Sequence, residues 1–191
     1  MSPKPIRTLN LYDKGSNYLI LDSDETSPLY NIHWRGSSAP HMTVTRPLDP
    51  DPKPIIGTAT YHAQKIGGFF SSASKITLKV HNRVIPLNKP NSNIFSLNKR
   101  SLESSSGQTL YWKGGYAASG FLKLVDGNGE MVARYQNRMY TGEKMGVFEI
   151  MREMGEGEVD EVVVSGCALI SEEKTSMTGT ATAISSAGGG M

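Results

Sequence analysis

Four histidines (His33, His41, His62 and His81), one cysteine (Cys167) and an acidic run (Glu153, Glu156, Glu158, Asp160 and Glu161) are the residues through which this chain could hold a metal, attack an electrophile or move a proton. The histidines are dispersed, each in or near a short alternating apolar run, so a metal site would have to be assembled across strands. Cys167 sits within the apolar stretch Val162–Ile170, where a buried thiol is raised in pKa and inert. The acidic run lacks the alternating ligand spacing and central glycine of a calcium loop, and reads as a solvated helix entrance. The chain has no Gly-x-Ser-x-Gly elbow, His-Glu-x-x-His pair, Walker loop or strand–Gly-x-Gly-x-x-Gly–helix unit. These observations predict no catalytic residues, no metal and no cofactor: the chain reads as a non-enzyme.

Charge is more informative. Twenty Lys and Arg against eighteen Asp and Glu leave +2 overall, too little to point to nucleic acid. The distribution is uneven. Residues 52–123 hold ten basic residues and one acid, a net +9, whereas residues 124–191 hold five basic and eleven acidic, a net −6. Were the central strands neighbours, Lys75, Lys79, Arg83, Lys99, Arg100 and Lys113 could share a face that attracts phosphates, each cation near an anionic membrane contributing about 1 kcal/mol. The plainer reading is that strand lysines blunt edges and keep the protein in solution. Within the same region, Lys65-Ile66-Gly67-Gly68-Phe69-Phe70 carries two adjacent aromatics that cannot both face one side of a regular strand. Phe69 and Phe70 are therefore candidates for insertion into a membrane interface beside basic anchors, or for packing on the core from a bulge.

These residues need elements to position them. At 191 residues, 38% of them hydrophobic, the chain has material for one core. A single cysteine excludes a disulfide framework. No run approaches the ~18 apolar residues of a membrane span, and Met1-Ser2-Pro3-Lys4-Pro5 does not read as a signal peptide. Short alternating runs broken by Gly, Pro, Asn and Asp predict a mainly β domain. The twelve predicted strands are Arg7–Leu11, Tyr18–Asp22, Leu29–Trp34, Met42–Arg46, Pro54–His62, Lys75–Val80, Arg83–Leu87, Asn93–Leu97, Thr109–Lys113, Gly120–Asp126, Met131–Gln136 and Gly146–Met151. Asp126-Gly127-Asn128-Gly129 and Asp13-Lys14-Gly15-Ser16-Asn17 supply hairpin turns. The segment Glu158–Ile170 breaks the pattern. Val162-Val163-Val164 favours a strand on propensity, but a dozen residues with one glycine fit a helix better. Val159, Val162, Val163, Cys167, Leu169 and Ile170 would clothe that helix nearly all round, which requires burial on every side. Residues 1–5 are expected to fray, and the uncharged Ser/Thr/Ala/Gly stretch 175–191 to be a disordered tail.

Taken in order, Tyr111-Trp112-Lys113-Gly114, Leu122-Lys123-Leu124-Val125-Asp126, Val132-Ala133-Arg134-Tyr135 and the closing Asp160–Ile170 stretch resemble the tubby C-terminal-like superfamily, which includes tubby proteins, LURP-one-related proteins and phospholipid scramblases. Within it the chain looks most like an uncharacterised fungal branch. The resemblance covers residues 6–174 and implies a closed antiparallel barrel of about twelve strands around a C-terminal hydrophobic helix. It carries over no binding residue. At 1.5 Å per residue, Glu158–Glu173 would be roughly 24 Å long, close to a barrel's height, and Gly166 and Ala168 would let a strand approach.

The expected function is a non-enzymatic binding module, docking on anionic lipid headgroups or an acidic partner through a basic barrel face. The alternative is a protein-interaction or structural module without lipid affinity. The expected location is cytoplasmic, at the membrane periphery if the first reading holds.

Overall fold

In the computed structural model the described residues are 4–15, 17–35, 38–47, 54–62, 65–66, 69–70, 75–89, 100–115, 121–141 and 143–187. Side chains are described within those segments except at 65, 66, 69, 70, 115, 138–141 and 173–187. The strands are β1 (Arg7–Asp13), β2 (Asn17–Leu21), β3 (Pro28–Trp34), β4 (Met42–Thr45), β5 (Ile55–His62), β6 (Lys65–Ile66), β7 (Phe69–Phe70), β8 (Lys75–Val80), β9 (Arg83–Leu87), β10 (Arg100–Glu103), β11 (Thr109–Gly115), β12 (Phe121–Val125), β13 (Met131–Thr141) and β14 (Lys144–Ile150). One helix, α1 (Glu156–Ala187), follows them. Twelve strands form one antiparallel sheet in the order β10-β11-β12-β13-β14-β1-β2-β3-β4-β5-β8-β9, while β6 and β7 pair separately. The sheet curls until its edges meet, among the described residues, at one bridge, Asn88↔Ser101, so it is a nearly closed barrel around the helix, as the resemblance implies.

The period of two puts apolar side chains inside. On β8, Ile76, Leu78 and Val80 are buried while Lys75 and Lys79 are exposed. Inward residues from both halves of the sheet, among them Leu11, Ile32, Leu78, Trp112, Tyr135 and Phe148, form one cluster with Val159, Val162, Val163, Val164, Cys167, Ala168, Leu169 and Ile170 of α1. The six residues predicted to clothe the helix are all buried. The helix starts where Gly155 accepts backbone hydrogen bonds from Glu158 and Val159. Its backbone continues past Thr175 to Ala187, beyond the point where composition alone predicts a tail.

The barrel and helix approach closely where side chains are smallest. A Cβ on Gly57 of β5 would lie 2.6 Å from Val164 Cγ2, and one on Gly166 would lie 2.5 Å from Phe148 Cε1. The neighbour at Gly166 is thus the Phe148 ring, so the space is taken by a side chain rather than by strand backbone. Ala168 instead offers its carbonyl, which accepts from Tyr61 Oη at 2.9 Å. Inside the barrel, Trp112 Nε1 donates to Ser165 Oγ at 3.0 Å, and that hydroxyl donates onward to the Val162 carbonyl.

Eleven of the twelve predicted strands correspond to strands of the main sheet. The other, Asn93–Leu97, lies outside the described residues, and the strand found next to it is β10, Arg100–Glu103. Its alternation was hidden because Arg100, a charged residue, occupies an inward position beside inward Leu102. Both predicted turns form, with Gly15 at φ 78° and Gly129 at φ 86°.

Gly57→Ala and Gly166→Ala each put a methyl into filled space, and overpacking of this kind costs about 1–3 kcal/mol. At Gly166 a gain in helix propensity of up to ~1 kcal/mol offsets part of that. Thermal melts are expected to show a larger drop in Tm for Gly57→Ala, whose neighbours include the Lys79 carbonyl at 3.2 Å. An unchanged Tm for both would mean that the helix is not gripped at these points.

Candidate functional site

The side chains capable of chemistry gather at the two ends of the buried part of the helix. At the first, the helix N-terminus meets the starts of β1 and β9, the loop after β4 and the β8–β9 turn. Asp160 and Glu161, expected to be solvated, are buried. Tyr30 Oη donates to Asp160 Oδ1 at 2.7 Å, Arg46 Nη2 donates to the same oxygen at 2.9 Å, and His81 Nε2 lies 3.0 Å from Oδ2. Glu161 takes Arg83 Nη1 at 2.5 Å and the Ser105 amide at 2.9 Å. Glu156, more exposed, pairs with Arg7 at 2.8 Å and Arg46 at 3.4 Å, and Arg7 also reaches Asp22. Buried carboxylates are tolerated only when paired, and the helix dipole adds to their stabilisation in the first turns.

At the far end, Arg100 is buried and donates to Glu172 Oε1 at 2.5 Å and to the Leu87 carbonyl at 3.2 Å. Two of the six residues placed on the basic face therefore leave it: Arg100 points into the barrel, and Arg83 is committed to Glu161. Lys99 lies outside the described residues. Lys75, Lys79 and Lys113 are exposed on the outer surface, with no carboxylate in salt-bridge range among the described residues. Sequence reasoning missed Lys123 and Arg134. Lys113 and Lys123 are direct cross-strand partners, as are Lys123 and Arg134, so three cations form a row across β11, β12 and β13. Arg134 is neutralised by Glu149, and the Lys123 ammonium stands 4.8 Å from the centre of the Phe121 ring. The alternation of β12 alone, with Lys123 between inward Leu122 and Leu124, would have found it. Phe69 pairs with Ile66 and Phe70 with Lys65 through backbone; the side chains of Phe69 and Phe70 lie outside the described residues.

The histidines do not converge. His33 contacts Asn17, His41 Nδ1 accepts from the Tyr61 amide, His62 contacts Thr77, and His81 contacts Asp160. Among the described residues no group of three His, Cys, Asp or Glu could hold a metal ion. Burial pushes the Cys167 thiol far up, as predicted for a packing residue. Burial also raises Glu161, against the opposing Ser105 hydrogen bond and Arg83 charge.

Among the described residues, Tyr12, Tyr18, Tyr30 and Tyr61 are shifted up. Burial holds Tyr30 and Tyr61 far above the usual phenol range and takes Tyr18 to about 12; the hydrogen bond to Glu25 takes Tyr12 to about 12. A phenol whose folded pKa exceeds its unfolded value of ~10 favours folding below that value, and the benefit is lost as pH rises. Stability should therefore fall above pH ~10. In a spectrophotometric titration, Tyr18, Tyr30 and Tyr61 are expected to ionise only as the protein unfolds, and Tyr30→Phe should remove one phenol from that late phase. Smooth ionisation of all eight tyrosines near pH 10 in the folded protein would refute this packing.

No helix among the described residues is long and apolar enough to cross a membrane. Comparison with curated proteins and with solved structures gives no match to either. The comparison with family models does give one: residues 13–175 match the model of a family of unknown function (DUF6593), a span running from the end of β1 through the buried part of α1, and the chain belongs to that family.

Proposed function

We propose that this domain is a non-enzymatic binding module of the tubby-like barrel type that docks on anionic membrane surfaces through lysines of β8, β11 and β12. One observation carries the reading. The arginines of the basic segment turn to carboxylates of the helix, whereas Lys75, Lys79, Lys113 and Lys123 stay on the outer surface without a carboxylate partner among the described residues. Lys75 opens β8, and Lys113 lies one residue beyond the Trp112↔Arg100 pair, which puts both toward the end of the barrel where Arg100 meets Glu172. Lys113 and Lys123 are directly opposed, an arrangement of like charges that costs stability in isolation and that an anion between them would relieve. The barrel-around-helix architecture supports the reading too, since it fills the interior and leaves the outer surface to do the binding.

Each lysine close to an anionic surface contributes about 1 kcal/mol. Replacing Lys75, Lys113 and Lys123 by Gln should then weaken binding to phosphatidylserine-containing vesicles roughly 100-fold at low salt, leaving Tm unchanged or raised. High salt should weaken the wild type likewise. Co-sedimentation measures this. Equal binding to neutral vesicles, or a triple variant that binds like the wild type, would sink the proposal. A protein partner captured equally by wild type and variant would favour the interaction-module reading.

A further inference from the structure

Among the described residues, the barrel has one line along which its strands are not laddered. Between β9 and β10 the bridge Asn88↔Ser101 supplies two backbone hydrogen bonds, each 3.0 Å. Two residues along, a continued antiparallel ladder would set Pro86 against Glu103. Pro86 has no N–H to give, so the ladder stops there. What crosses the line instead is a pair of arginines, one from each strand. Arg83 of β9 donates to the Ser104 carbonyl at 3.1 Å and, more weakly, to the Glu103 carbonyl at 3.4 Å. Arg100 of β10 donates to the Leu87 carbonyl of β9 at 3.2 Å. Each also grips the helix: Arg83 holds Glu161 and Arg100 holds Glu172, both at 2.5 Å. Glu161 touches both sides of the line, through Arg83 and through the amide of Ser105, which follows β10.

We propose that this seam is a built-in opening line, shut by two arginine latches whose carboxylate halves the helix supplies. Seating the helix and closing the barrel are then one event. A helix displaced along its axis takes Glu161 and Glu172 away from both arginines together. Among the described residues the seam then retains two backbone hydrogen bonds, while every other junction of the sheet keeps its ladder. Opening there uncovers Ile85, Leu87 and Leu102, all buried, without disturbing β13, β14 and β1 on the opposite side. Local opening of this kind lies below the free energy of global unfolding.

Amide hydrogen exchange on the full chain reads the seam directly. The amides of Asn88 and Ser101 are expected to exchange roughly tenfold or more faster than laddered amides of β13 and β14. Glu161→Gln with Glu172→Gln should speed the seam by a further factor of about ten while leaving β13 and β14 unchanged. A second variant guards against a failure to fold. Asn88 and Ser101 form a hydrogen-bonded antiparallel pair, whose Cα separation of ~5.5 Å suits a disulfide, so oxidised Asn88→Cys/Ser101→Cys should bring seam exchange down to the level of β13 and β14, and reduction should restore it. Seam amides as protected as those of β13 and β14 in the wild type would overturn the proposal. So would a disulfide without effect, or carboxylate variants that speed all strands alike.

Discussion

An α-helix that is apolar on every face can be covered only by something that surrounds it. Beyond the paired carboxylates of Asp160 and Glu161, Val162–Ile170 is nearly such a helix, and much of the molecule follows from enclosing it. A curled sheet of twelve strands offers an inner surface of alternate side chains, and these meet the helix on all sides. Burying one Val or Leu is worth about 1.5–3 kcal/mol, so the helix residues together rival the whole stability of a domain, roughly 5–15 kcal/mol. Small residues sit where room is shortest, at Gly57 against Val164 and at Gly166 against Phe148. Polar groups inside are few; Trp112 and Ser165 satisfy one another, whereas the buried Trp34 Nε1 has no hydrogen-bond partner among the described residues.

Enclosure leaves the problem of the two ends of the buried part of the helix, where charged residues leave the apolar zone. Both ends are handled alike. Carboxylates of the helix meet arginines of the strands, and carbonyls of Leu87 and Ser104 accept further guanidinium hydrogen bonds. Such pairs add little net stability compared with apolar packing. What they add here is position, because Asp160 and Glu161 at one end and Glu172 at the other fix how far the helix enters. Part of the charge asymmetry along the chain acquires a meaning from this: Arg83 and Arg100 of the basic middle pair with Glu161 and Glu172 of the acidic C-terminal part, while Glu156 and Asp160 take Arg7 and Arg46 from the N-terminal part. The lysines that remain outside are the surplus.

Much of the architecture was legible in the sequence. Period-two alternation in Lys75–Val80 and the turn glycines at 15 and 129 are local signals, and local signals survive into the fold. The buried helix was legible because its apolar residues left no polar face. The fate of the arginines was not, since Arg83 and Arg100 look like the lysines beside them in any one-dimensional pattern. Only the partner's position, some 70 residues on, separates a structural cation from a surface one. Asp160 and Glu161 misled for the same reason: an acidic helix start reads as solvated unless the ring of strands that closes over it is already known. Strand β10 escaped because Arg100 stands where alternation calls for an apolar residue.

The order of the chain gives the pairing of β1 with β14 a further consequence. During synthesis, the first strand has only β2 for a neighbour until some 130 further residues have been added, and the helix that fills the barrel emerges after all of the strands. At 5–20 residues per second, the growing chain spends on the order of ten seconds with alternating apolar strands and nothing to wrap. Non-local pairings of this kind fold slowly and expose strand edges meanwhile. The nascent chain thus exposes apolar strands near the ribosome until the helix arrives. Its vulnerability to aggregation in the cell is set by the helix, the element that arrives last.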